Sequence, residues 1–267
     1  MNEILSLFAI KDVFLCLFIL GARIAAFCSV SVYFSSQYFT GTARRAIMVS
    51  LTLILLPLLP TSSIKDIYND TWIYLAYVLK ETILGVLLGF FSNFIFYVTQ
   101  GVGFLIDTQR GASVASLFDP ISNSQTSPLG DLLMKFTILL AISSGAFITT
   151  IQLLYESYID FPIFSIVPSC GSWITQFALN VYGDGIFNYI ALFAGPIIFV
   201  LFLSEFGLGL VTRFAPQLNV FFLSMPIKSA LAMFFFILYL AFLAEYIVTH
   251  FANFDLMQKF LTALKGS

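Results

Sequence analysis

Between residues 186 and 204 the chain reads IFNYIALFAGPIIFVLFLS, without one charged side chain. At about 1.5 Å per residue, a helix of that length comes close to the roughly 30 Å hydrocarbon thickness of a bilayer. Further apolar stretches lie at 13–34, 46–60, 82–106, 129–154 and 229–251. A soluble fold could not hide all of them. Its surface would also lack charge, because 10% of the 267 residues are charged where soluble domains carry about 25%. The fold class that follows is all-α: a polytopic membrane protein of about six hydrophobic helical segments, several bent or proline-interrupted. No internal repeat, low-complexity tract or soluble appendage divides it, so residues 1–267 read as a single integral membrane domain.

The segments differ in quality. The second is short and ends in Pro57 and Pro60, which fits a partial or tilted span. The third has a lead-in, WIYLAYVLKE (72–81), that reads as an amphipathic approach helix, and Gly85 and Gly89 within it have the spacing of a close helix contact. Residues 155–185 form the longest polar connection, with Glu156, Asp160 and Asp184 but no lysine or arginine. Trp173, Phe177 and Val181 share one helical face there and predict a short interfacial helix. Arg44 and Arg45 place the 35–46 loop in the cytoplasm by the positive-inside rule, which puts residues 155–185 and the N-terminus outside. Glu3 precedes Lys11 and Asp12, and Arg23 interrupts the first apolar run, so 13–34 reads as a retained membrane segment rather than a cleaved signal.

Reactive chemistry finds little support. Cys16, Cys28 and Cys170 form no framework and read as buried inert thiols. His250 is the single histidine, so neither a metal-ligand cluster nor an oriented nucleophile–base pair can be assembled around it. Gly101 and Gly103 alone make no nucleotide fingerprint. A net charge of −2 offers no polybasic footprint for nucleic acid. The chain reads as neither an enzyme nor a cofactor carrier.

Two stretches stand out. In GFLIDTQRGASVASLFDP (103–120) the text changes within a few residues from Phe and Leu to Asp107, Gln109 and Arg110. Arg110 in lipid would cost roughly 2.5–3.5 kcal/mol, so it faces water, a pore or a protein partner. Asp107 and Arg110 are three apart and pair if the helix continues through them. Gly111, Ala112, Ser113, Ala115 and Ser116 then have little bulk; they fit either a solvated loop or a segment packed into a confined space.

The second stretch is EFGLGLVTRFAPQLNVFFLSMPIKS (205–229). Glu205, Arg213 and Lys228 lie in apolar surroundings, and Pro216 and Pro226 are expected to break helix, with Gln217 and Asn219 between them to satisfy freed backbone groups. An unbroken helix sets Glu205 and Arg213 about 12 Å apart along its axis, so each needs another partner. Phe221, Phe222, Leu223 and Met225 supply either core packing or a compliant apolar constriction.

These stretches carry a family resemblance. IDTQRGASVASLFDP with SPLGDLL (127–133), then SEFGLGLVTRFAPQLNVFFLSMPIKS (204–229), resemble the T component of the type III secretion export apparatus, the SctT family, homologous to flagellar FliR. The RFAPQLNVF…MPIKS and QTSP forms are similar to the virulence injectisome branch. The resemblance implies a single-copy subunit that winds with R and S components into a helical, closed cone in the bacterial inner membrane, around a path for unfolded secreted proteins. It implies bent hairpins, not all of which cross lipid. It implies a U switch component and a V export gate at the entrance, and inner rod and needle subunits at the far end. Energy comes from elsewhere, so no cofactor is expected.

On that resemblance Asp107–Pro120 matches the family's plug, with Asp107, Gln109, Arg110, Gly111, Ala112, Ser113, Ser116, Asp119 and Pro120 as its candidate residues. Glu205, Arg213, Pro216, Gln217, Asn219, Phe221, Phe222, Met225, Pro226 and Lys228 are candidates for subunit packing and lumen lining. The competing possibility is a secondary transporter of a small solute with a broken-helix site at 205–228. The absence of paired discontinuous segments and of an inverted repeat argues against it.

Overall fold

The computed structural model describes residues 2–55, 57, 71–112, 127–163, 185–214 and 220–251. These form α1 (Asn2–Val30), α2 (Gly41–Ile54), α3 (Thr71–Ser92), α4 (Phe94–Gln109), α5 (Pro128–Ser143), α6 (Ala146–Asp160), α7 (Ile186–Phe214) and α8 (Val220–Tyr246). A short 3₁₀ turn at Val32–Phe34 follows α1, and a π-helical turn at Ile247–Phe251 follows α8. No strand occurs among the described residues. The helices sort into two compact units, one holding α1, α2, α3 and α6 beyond Ala146, the other α4, α5, α7 and α8.

In the first unit α1 packs along α3. Glycine permits the approach: a side chain on Gly85 would land on the backbone carbonyl of Arg23, and one on Gly89 would lie 3.0 Å from that of Phe27. The Gly85/Gly89 spacing is therefore a real helix contact, as its pattern suggests. Ile19, Leu20, Ile24, Phe27, Leu84 and Leu88 are buried in this unit's core. Arg44 on α2 donates from Nη2 to the carbonyl of Cys28 at 2.7 Å, so this arginine caps the end of α1 and is not simply a loop charge. Cys28 is a fully buried free thiol.

In the second unit α4 packs against α5 and α7, and α7 against α8. Gly103 and Gly130 let α4 and α5 touch backbone to backbone, since a Cβ on Gly103 would overlap Gly130. Aromatic edges tie α7 in: Tyr189 lies 6.0 Å from Phe94, and Phe193 lies 4.9 Å from Tyr246, ring centre to ring centre.

Among the described residues, three helices are long and apolar enough to cross a membrane: Trp72–Ser92, Ile186–Phe214 and Phe222–Thr249. The bent pair α5–α6 supplies a fourth if it counts as one span. Large apolar side chains such as Phe199, Phe202 and Phe206 on α7, and Phe234, Ile237 and Phe242 on α8, are exposed. Patches of this size need lipid or protein to cover them.

Several boundaries differ from those the sequence suggests. The stretch 72–81 is not a separate approach helix but the first half of α3, and the expected 82–106 segment is broken at Asn93 instead. The cause is tertiary: the Asn93 side chain donates to the Val30 carbonyl at 2.8 Å and accepts from the Val32 amide at 2.9 Å, bracing the turn that ends α1. The 129–154 segment is two helices, because Gly145 adopts φ 80°, a left-handed conformation that stops α5. The expected 155–185 connection begins as helix through Asp160, and the interfacial helix around Trp173, Phe177 and Val181 lies outside the described residues.

Pro226 does not break its helix: α8 runs through it, as α7 runs through Pro196. One backbone donor is lost at each proline. At Pro226 the vacated acceptor is the Phe222 carbonyl near the helix start, with many bonded turns beyond it. The expected broken region 205–229 contracts accordingly. Helix covers Glu205–Phe214 and resumes at Val220, and Pro216, Gln217 and Asn219 lie outside the described residues.

Candidate functional site

The polar cluster at the end of α4 begins as the sequence suggests. The helix continues past Asp107, so Asp107 Oδ1 and Arg110 Nη2 pair at 2.7 Å, three residues apart. Gly111 then ends the helical path with φ 87°, a conformation that side chains resist. Asp107 is buried, which an unpaired carboxylate would not tolerate.

Its other oxygen explains why. Asp107 Oδ2 accepts from the Ser127 hydroxyl at 2.6 Å and from the Leu129 amide at 3.0 Å. Ser127 is the N-cap of α5, and its hydroxyl in turn accepts from the Gly130 amide at 3.0 Å. Pro128, which has no amide hydrogen to lose, follows it, and Asp131 adds a favourable negative charge in the first turn. A carboxylate, a cap hydroxyl and the positive end of a helix thus meet at one point. Residues 113–126, which join α4 to α5, lie outside those described.

The second stretch meets the first here. Arg110 Nη1 donates to the Ser229 hydroxyl on α8 at 3.3 Å. Met225 Cγ lies 3.6 Å from where a Gly111 side chain would begin. The neighbouring Lys228, largely buried, pairs with Glu205 on α7 at 2.8 Å, which supplies the partner that Glu205 needs. Asp107, Arg110, Ser127 and Ser229 are bound to one another, so the arrangement holds segments in position.

The model of bacterial export proteins, family 1, matches residues 14–254. The chain belongs to that family. It is 39% identical over 196 residues to the Yop proteins translocation protein T of Yersinia pestis, covering 73% of this chain and 74% of that one. It is 31% identical over 192 residues to the secretion system apparatus protein SsaT of Salmonella typhimurium, covering 71% and 73%. It is 27% identical over 232 residues to the flagellar biosynthetic protein FliR of Bacillus subtilis, covering 87% and 86%.

Other candidate residues of this export protein are less gathered. Gln109 is exposed at the end of α4, and Ala112 is half-buried. Phe222 is exposed at the start of α8, and the side chain of Phe221 is not among those described. Arg213 is exposed in the last turn of α7 and has no ion pair among the described residues. Ser113, Ser116, Asp119 and Pro120 fall outside the described residues. No group of three His, Cys, Asp or Glu side chains gathers among the described residues to hold a metal ion.

A second polar centre was not foreseen. In the other unit Arg23 is fully buried: Nε donates to Glu81 Oε2 at 2.6 Å, Nη1 to the Ser157 carbonyl at 2.7 Å and hydroxyl at 3.0 Å, and Nη2 to the Phe161 carbonyl at 3.0 Å. Its guanidinium stacks 4.1 Å over the Tyr158 ring. Lys80 pairs with Glu81 Oε1 at 2.9 Å and donates to the carbonyls of Pro162 and Ile163. One carboxylate thus holds two cations against the carbonyl end of α6, where positive charge is favoured. The signal was the placement of Arg23 in an apolar run and of Lys80–Glu81 at the middle of α3.

Proposed function

We propose that this chain is a subunit of the type III protein secretion export gate in the bacterial inner membrane. The family match over residues 14–254 carries that reading. The named relatives, a translocation protein and a secretion apparatus protein, agree with it. The chain works as one integral unit and joins R and S components in a closed channel for unfolded secreted proteins. A U switch component and a V export gate meet the entrance, and rod and needle subunits continue the far end. The exposed aromatic faces of α7 and α8 provide surface for those neighbours and for lipid. The chain brings no catalytic group or cofactor of its own. A solute transporter would need its site in the 205–228 region, but Glu205 and Lys228 there are bound to each other.

Within that assembly Asp107–Pro120 is the plug, and Glu205 to Lys228 serves packing and lumen lining. Arg213, exposed on an apolar helix, meets an acidic group of a neighbouring subunit. Deleting Ser113–Ser116 tests the plug. Cells that assemble the whole complex should then leak ions or small dyes. Unchanged permeability with normal assembly would contradict it.

A further inference from the structure

Helix α2 gives one face to its own unit and turns the other outward. On the inner face Arg44 binds the Cys28 carbonyl near the end of α1, and the Thr52 methyl lies 3.5 Å from where a Gly21 side chain would begin. The helix therefore runs back along α1. Tyr155 of α6 donates to the Leu51 carbonyl at 3.3 Å on the same side. The outer face carries Arg45, Ala46, Val49, Leu53 and Ile54, all exposed, with Ser50 as a lone hydroxyl among the apolar members. Arg45, Val49 and Leu53 recur every four residues and stack in one row. Fourteen residues make α2 about 21 Å long, too short to cross a hydrocarbon core of roughly 30 Å. The row from Arg45 to Leu53 rises about 12 Å, which is within the depth of one leaflet.

Charge is distributed to match. No Asp or Glu occurs between residues 13 and 65. Arg45 donates from Nε to the Gly41 carbonyl at 3.0 Å and forms no ion pair among the described residues. Glu81 of the same unit is already held by Arg23 and Lys80. We propose that the outer face of α2 binds an anionic phospholipid, with the headgroup phosphate on Arg45 and an acyl chain along Ala46, Val49 and Leu53. A guanidinium offers a phosphate two parallel donors. The order of groups favours lipid over a protein partner. A protein-docking face has an apolar centre inside a polar rim. Here the cation stands at one end, and the apolar row runs from it to the other end of the helix, as a lipid runs from headgroup to chain. The reading needs α2 to meet a bilayer and does not depend on the chain's role in export.

Native mass spectrometry of the full-length chain, extracted in mild detergent and given equal phosphatidylglycerol and phosphatidylcholine, tests this. The wild type should retain phosphatidylglycerol preferentially. Arg45→Gln should lower that preference by about fivefold, the worth of one basic residue at an anionic surface. Arg45→Lys keeps the charge and should keep most of the preference. Leu53→Ser should reduce retention of both lipids and leave their ratio unchanged. Lys135→Gln, which removes an exposed cation on α5, should change neither. Inorganic phosphate should not displace the lipid, because the apolar row holds the chain. An equal loss of preference in Lys135→Gln would reduce the effect to net charge and overturn the proposal. Displacement by phosphate alone would overturn it too. If Arg45→Gln retains phosphatidylglycerol as the wild type does but recovers fewer partner subunits from membranes, the face docks protein and the proposal is wrong. Should Arg45→Gln fail to fold, the Arg45→Lys and Leu53→Ser variants decide: wild-type retention in Leu53→Ser, or loss of preference in Arg45→Lys to the level of phosphatidylcholine, would refute it.

Discussion

Asp107 Oδ2 lies 2.6 Å from the hydroxyl of Ser127, so the last turn of α4 and the first residue before α5 share one hydrogen bond across segment 113–126. Ser127 thereby does two things at once, since its hydroxyl also caps the Gly130 amide. Ser127→Ala should lower stability by about 1 kcal/mol, the usual loss for an N-cap. It should also speed proteolytic cleavage between α4 and α5, because Asp107 Oδ2 then keeps only the Leu129 amide. Limited proteolysis of the detergent-solubilised complex reads both effects, and an unchanged cleavage rate would show that the joining of α4 to α5 does not depend on this bond.

Gly85 admits no side chain, because one would fall on the Arg23 carbonyl. Gly85→Ala should push α1 from α3 at a cost of about 1–3 kcal/mol, typical of overpacking. Gly41→Ala, where nothing lies within 4 Å, provides the control and should be neutral. Thermal unfolding of the solubilised protein compares them; equal melting temperatures would refute the close contact.

Glu81 neutralises both Arg23 and Lys80. Glu81→Gln leaves two buried cations without an anion and should cost about 3–5 kcal/mol. Arg23→Met should be milder, because Lys80 still satisfies Glu81. The yield of folded protein from membranes should rank wild type above Arg23→Met above Glu81→Gln. The reverse order of the two variants would mean that Arg23, not Glu81, is the hub.

Local spacing made some of this legible and could not reach the rest. Asp107 and Arg110, three apart on one helix, pair as spacing suggests. Gly85 and Gly89 mark a close contact because small residues at that interval leave a groove. The break at Ser144–Gly145 was missed in taking 129–154 as one segment, although a Ser-Ser-Gly run in an apolar stretch is a turn signal. The break at Asn93 was not, because its cause is a pair of hydrogen bonds to residues of the α1 turn. The same applies to Glu205. Its partner Lys228 lies on the next helix, and only the packing of α7 against α8 brings them together. Pro226 misled because proline's cost is small beside the bonded turns that follow it in α8.

The central claim, that this family member is a built-in subunit of a multi-protein export gate, is tested most directly by co-purification. A tagged wild-type chain, extracted from membranes, should bring down the R and S components in a fixed ratio. Arg213→Ala should still insert but recover far less of them, because its exposed charge would no longer meet a neighbour's acid. A wild-type chain that purifies alone, at full membrane yield and without those components, would contradict the account.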